Sequence, residues 1–211
     1  MKAIDDAASV EFESGGRGAR DRILAAARTL LYRDGIHARS VDELAQYAHV
    51  SKRTFYQHFA TKDQLVEAYV RDLDATRAIP RERALTEPGK PARARLLAIF
   101  DSAPETRMRG CPFHNAAVEA ASTLPKVHDI VHAHKLEFIA TLIEVCTEAG
   151  AADPHTLGHQ LAVIFEGGLA LSTNLDDSAP MVYARSAAEA LVDAAVSRRV
   201  NVTTAESGEP S

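Results

Sequence analysis

The segment from Ser40 to Lys62 leaves the chain around it few options, because its spacing predicts two short helices joined by a tight turn. Ser40 is a good N-cap residue, and Glu43 three positions later completes a capping box. In that motif the hydroxyl and the carboxylate each satisfy a backbone N–H left open at the helix start. Val41, Leu44, Ala45 and Ala48 then share one helical face. His49 and Val50 make the turn, and Ser51 caps a second helix whose Phe55 and Phe59, four apart, point inward together. The outer face of this second helix keeps Lys52, Arg53, Thr54, Tyr56, Gln57 and His58. Cations, hydroxyls and hydrogen-bonding tips are the chemistry that phosphates and base edges in a major groove require.

Charge distribution points the same way. The chain has 211 residues and a formal net charge of −5, which alone would argue against nucleic acid. Residues 19–62, however, carry eight Lys and Arg against four acids, a net of +4, which leaves −9 for the rest. A basic head on an acidic body suits a protein that presents one face to DNA. A hydrophobic content of 46% is enough for one or two compact domains. Sparse aromatics, no Trp and abundant Ala favour helices over strands, so the expected class is all-α with about nine helices.

The run from Ser51 to Leu65 resembles the recognition-helix signature of the tetracycline-repressor-like (TetR) family of transcriptional regulators, and the similarity extends upstream through Arg22 to Arg28, Leu30, Leu31 and Gly35. It covers roughly residues 20 to 70. The resemblance implies an N-terminal three-helix helix-turn-helix head over 19–62 and a helical ligand-binding and dimerisation body over 63–200. A flexible arm over 1–18 and a loose tail over 201–211 would flank them. It places Lys52 and Arg53 at the start of the recognition helix, with Arg53 where many relatives have Gly. Thr54 and Tyr56 match positions that touch bases, thymine methyls or phosphates. Gln57 stands where an aromatic is often found. His58 and Lys62 match backbone-phosphate positions, and Ser40 could hold a phosphate through its hydroxyl and the helix N-terminus. The implied partners are a double-stranded palindromic operator, a second copy of the chain and a small-molecule effector, the chain acting most simply as a repressor.

Taken in order, the first helix should run from about Ala19 to Arg33, with Gly35 as a left-handed C-cap. Thr61 should cap a fourth helix carrying Leu65, Tyr69 and Leu73 toward the body. The stretch from Pro80 to Pro91 is the clearest break. Helices are then expected over Ala92 to about Ala103, from Pro112 to about Ser122, from Pro125 to Gly150, from Pro154 (with Leu171 among its apolar positions), and from Pro180 to Arg198. In the last two, Gly167, Gly168 and the alanines from Ala184 to Ala195 permit close helix approach, compatible with the two-helix dimer interface of TetR-like proteins.

Candidate effector-pocket residues are Phe100, Phe113, His114, Val118, Phe138, Leu142, Phe165, Glu166 and Leu169, apolar positions interspersed with a few polar ones. A metal-sensing alternative rests on His128 and His132, on His155 and His159, each pair four apart, and on Cys111 three before His114. A thiol-sensing alternative rests on Cys111 at the start of a helix, where the macrodipole, Arg107 and Arg109 would lower its pKa. Cys146 is the poorer candidate. No phosphate loop, nucleophile elbow or paired-carboxylate motif is visible, and Glu119, Glu137, Glu144 and Glu166 read as solvated. No cofactor or resident metal is expected, nor any enzyme activity. With a polar N-terminus, no run of about 18 apolar residues and two cysteines, the expectation is a cytoplasmic protein with reduced thiols.

Overall fold

Local caps decide where the head's helices begin. Ser40 accepts from the Glu43 amide at 3.2 Å and its own amide donates to the Glu43 carboxylate at 2.8 Å, so the capping box opens α2 (Val41–Tyr47). Ser51 accepts from the Thr54 amide at 3.0 Å and opens α3 (Lys52–His58), and Thr61 does the same for α4 (Lys62–Ala75) through Gln64. Between α2 and α3 His49 takes a left-handed conformation, φ 51°. Arg22 of α1 (Ala19–Asp34) donates to the Ala48 carbonyl at 3.2 Å and braces that turn. Ile23, Leu44, Phe55 and Leu65, one from each helix, are fully buried together. Each such side chain contributes about 1.5–3 kcal/mol relative to exposure.

The computed structural model describes residues 18–76, 79–101 and 109–206, with side chains as far as Val196. The arm expected over 1–18 lies outside them except for Gly18, as do Arg107 and the tail beyond Glu206. After α4 come a single turn, α5 (Pro80–Arg83), running into a 3-10 turn (Ala84–Thr86), then α6 (Ala92–Ala98), α7 (Pro112–Ala120), α8 (Pro125–Glu148), α9 (Pro154–Leu175) and α10 (Ala179–Glu206). Nine of these helices have seven residues or more, and no strand occurs among the described residues. Proline at the first position starts α7, α8 and α9, where the missing N–H costs no hydrogen bond. No helix of the described residues is long and apolar enough to cross a membrane.

Some boundaries differ from the sequence reading. Helix α6 stops at Ala98 rather than near Ala103, and α10 continues past Arg198. Leu171 is 54% exposed rather than in the core, because α9 buries its opposite side against α8 and α10.

Helices α8 and α9 form the central pair of the body, and α9 turns back through Asp176, in the left-handed region, into α10. The α8–α9 crossing depends on Gly158. A Cβ there would stand 2.6 Å from Ile143 Cγ1 and 3.1 Å from the Ile143 backbone nitrogen. Gly158→Ala should therefore cost stability, since overpacking of about 1–3 kcal/mol exceeds the helix-propensity gain of roughly 1 kcal/mol. The expected result is a lower urea midpoint at unchanged slope. A midpoint at or above wild type would contradict this close approach.

Candidate functional site

The recognition face is built by packing the other side of α3. Phe55 is fully buried and meets Phe59 at a ring distance of 6.1 Å, so Lys52, Arg53, Tyr56, Gln57 and His58 face outward. Tyr56 is 46% exposed, its ring edge-on to Phe55. Thr54 is only half-buried, and its hydroxyl lies 2.8 Å from Ser51 Oγ, so the cap already holds it. Ser40 is likewise committed, its hydroxyl 2.9 Å from the Glu43 carboxylate. Lys62 is partly buried, and burial pushes its pKa down against the pull of Asp63, Glu43 and Glu119.

The head's cations are not equally available. Arg39 bridges Asp34 and Glu43 at 2.8 Å each, Arg33 pairs with Asp34 at 2.9 Å, and Arg28 pairs with Asp72 of α4 at 2.5 Å. Lys52 meets Asp42 at 2.8 Å, both side chains well exposed. Such an exposed pair is worth little and is easily exchanged for a phosphate. Arg53 forms no ion pair among the described residues. The field offered to DNA is thus more concentrated on the start of α3 than the residue count suggests.

The head meets the body through a second contact besides α4. The Ile36 amide donates to Glu119 Oε2 of α7 at 2.6 Å, and His37 donates through Nε2 to the Glu119 carbonyl at 2.6 Å. Arg109 donates to the Tyr32 carbonyl at 3.0 Å, and the Tyr32 hydroxyl donates to the Gly110 carbonyl at 3.1 Å. Gly35 makes the approach feasible. Its φ of 101° and ψ of 155° lie outside the left-handed helical cap that the sequence suggested, and a Cβ would come within 3.1 Å of Glu119 Oε2.

In the body the expected pocket residues separate. Phe100, Phe113 and Leu142 are fully buried in the core and line none of the three cavities described next. Phe165 and Leu169 line a cavity of about 350 Å³ between α1 and α4 on one side and α7 and α9 on the other, shared with Tyr32, Tyr69, Leu73 and Cys111. His114, Val118 and Glu166 line a separate cleft of about 230 Å³ on the other side of Gly110 and Cys111. Phe138 lines a smaller one of about 100 Å³ beside His134.

Cys111 is indeed the N-cap residue of α7, but it is 4% exposed. Burial pushes its thiol pKa up, against the nearby Lys135 ammonium 3.4 Å from Sγ. The expected depression is therefore reversed, and Arg109 is turned to Tyr32 and Glu119 instead. Burial also raises Cys146, to about 12. His128 and His132 are exposed with rings 6.0 Å apart, His155 and His159 are exposed with rings 4.5 Å apart, and His114 is exposed while Cys111 is buried. No cluster of three metal-ligating side chains occurs among the described residues.

Residues 23–69 match the model for bacterial regulatory proteins of the tetR family, and residues 92–188 match the tetracyclin repressor-like C-terminal domain. The chain belongs to the TetR family. It is thus a helix-turn-helix, DNA-binding transcriptional regulator by family. Similar TetR structures include sav143 from Streptomyces avermitilis, 29% identical with a TM-score of 0.69 over 85% of this chain and 98% of that one. SCO4454 from Streptomyces coelicolor is 27% identical with a TM-score of 0.73 over 84% and 96%. The reduced form of E. coli NemR, 19% identical with a TM-score of 0.70 over 81% and 95%, shares the fold. No curated protein matches the chain.

Within this TetR framework the sequence reading missed the groups that join head to body. Glu119 and Glu166, read as solvated, are half-buried, the latter 2.6 Å from Lys135 Nζ. Lys135 keeps a raised pKa because Cys111 and Glu166 outweigh the lowering by burial. His134 was missed too. It stacks on Phe113 at 3.6 Å and lies 2.9 Å from Asp74 of α4 and 3.1 Å from Glu82 of α5. Burial lowers its pKa, but hydrogen bonding and charge from Glu82, then Asp74, outweigh that and leave it above 6.5. A raised folded-state value stabilises fully below the unfolded value and loses that contribution as pH climbs through the folded one. Wild type should exceed His134→Gln in stability by more at about pH 6 than at about pH 8.5. A pH-independent difference in urea unfolding would refute the clasp.

Proposed function

We propose that this TetR-family regulator is a repressor that binds a palindromic operator as a homodimer and is released by a small apolar or amphipathic effector held in its body. The observation that carries the reading is the outer face of α3, where Lys52, Arg53, Tyr56, Gln57 and His58 stand exposed on a helix locked from behind by Phe55. Arg53 reads a base edge, most simply a guanine, while Lys52 and Lys62 hold phosphates. His58 and the Ser40 end of α2 lie against the backbone beside them.

One such head touches too few bases for specificity, and a symmetric pair doubles the site. Support for pairing comes from two adjacent stripes. Val163, Gly167, Leu171 and Leu175 run along the outer side of α9, and Tyr183, Ala187, Ala190 and Ala194 along that of α10, all exposed in the single chain. Gly167 has nothing within 4 Å of the place a Cβ would take, so a second helix could approach there closely. Effector binding favours a head spacing that no longer fits two half-sites. With Cys111 buried and its pKa raised, the body offers a cavity rather than a reactive thiol as its sensing element.

The test is operator binding by the purified chain at increasing salt. Two lysines per half-site predict a loss of about 10²-fold in affinity between 50 and 200 mM salt. Arg53→Ala should cost about 1–3 kcal/mol on the preferred operator and relax preference, whereas Lys62→Ala should weaken all sequences alike. Leu171→Asp should give a monomer by light scattering that retains its helicity but loses tight operator binding. Salt-independent or absent binding to duplex DNA would end this reading.

A further inference from the structure

We propose that His134 is a proton switch on the head: the imidazolium ties the end of α4 to α8 and keeps the head in its operator-binding position, and the neutral ring releases α4. The proposal rests on the operator-binding reading above and adds a condition under which that binding weakens.

The geometry calls for a proton. His134 projects from α8 and stacks on Phe113 of α7 at 3.6 Å, with its side chain 12% exposed. Nδ1 lies 2.9 Å from Asp74 of α4, and Nε2 lies 3.1 Å from Glu82 of α5. A neutral imidazole carries one N–H and one lone pair, so it can donate to only one of these carboxylates. Only the imidazolium serves both. The charged groups that face the ring are Asp74 from α4, Glu82 and Arg83 from α5, and Lys135 and Glu137 from α8, while α7 presents the uncharged Phe113. Burial disfavours the charged ring, Glu82 and then Asp74 favour it more, and Lys135 opposes them, which leaves the pKa above its ordinary 6.5. A cleft of about 100 Å³, lined by Asp74, Glu82 and His134, gives the ring a path to water.

The two carboxylates are not equal, and that decides what deprotonation releases. Glu82 is 14% exposed, whereas Asp74 is 40% exposed. Leaving a buried carboxylate without a donor costs more than returning a half-exposed one to water. The single remaining N–H therefore stays with Glu82, and Asp74 is let go. Asp74 stands in the last turn of α4, so its release frees the end of the helix through which the head joins the body. Helix α4 keeps its packing on α8, and the head stays folded. What changes is the range of positions the head takes, and operator binding must then restore one of them. The contribution of the clasp is complete below the ordinary value of 6.5 and is lost as pH rises through the raised folded value.

The experiment measures the affinity of the full chain for the duplex that wild type enriches from a randomised pool, at about pH 6 and about pH 8.5, alongside His134→Gln. Wild type should lose about fivefold in affinity over that range beyond any loss in His134→Gln, which shares His37, His49 and His58 of the head. Reciprocity requires that the operator raise the proton affinity of His134, so its Cε1–H resonance should titrate at higher pH in the complex than in the free chain. A purely structural histidine would titrate alike in both. Asp74→Asn should flatten the pH dependence, because it removes the α4 tie, and Glu82→Gln should move the fall to lower pH. Both variants keep the histidine and its stack, so they test the switch even if His134→Gln folds poorly. Equal pH profiles for wild type and His134→Gln, an unchanged His134 titration on binding, or a full pH response in Asp74→Asn would overturn the switch and leave the operator reading standing. Wild type that binds no duplex at either pH would overturn both.

Discussion

The hydrogen bond from the Ile36 amide to the Glu119 carboxylate, 2.6 Å long, is the contact on which the relation of head to body depends. An ionised acceptor makes such a bond stronger than a neutral one, and partial burial keeps water from competing for it. It ties the α1–α2 connection to α7 through the head's own backbone. Gly35 is shaped around it. Its positive φ and the absence of a side chain let the carboxylate reach in. Arg109 and Tyr32 close the same seam from the body side. On the reading proposed above, a change in the body reaches the heads through contacts such as this seam and α4.

The body shows how burial can overrule a local electrostatic expectation. Cys111 stands at a helix start, as its sequence neighbourhood implies, and a dipole of partial charge would favour the thiolate there. Desolvation is the larger effect at a site 4% exposed, and Lys135 is shared with Glu166. The head gives the complementary case. Arg28, Arg33 and Arg39 are bound to Asp72, Asp34 and Glu43, which leaves the start of α3 as the focus of positive charge.

Those contrasts explain how much could be read from the sequence. The head was legible because its signals are local: serine and threonine caps, a capping box, and two phenylalanines four residues apart fix each helix within a few positions. Proline at first positions located the body helices in the same way. The outer face of α3 followed directly, since burying Phe55 determines what lies opposite. The joint was not legible. Glu119 and His134 occupy unremarkable helical positions, and their roles come from partners 83 residues away for Ile36 to Glu119 and 60 and 52 residues away for His134 to Asp74 and Glu82. Helical periodicity could separate inside from outside for Phe165 and Leu169. It could not tell the wall of a cavity from the middle of a core, which is why Phe100 and Leu142 were grouped with them.

Amide hydrogen exchange at Ile36 tests the joint most directly, comparing the intact chain with Glu119→Ala under the same conditions. If the seam holds the head as described, the Ile36 amide is protected in the wild type and exchanges at least about tenfold faster in the variant, as expected for loss of a charge-assisted bond. Amides in the α8–α9 pair should keep their protection. Equal exchange at Ile36 in the two proteins would contradict the claim that Glu119 ties the head to the body.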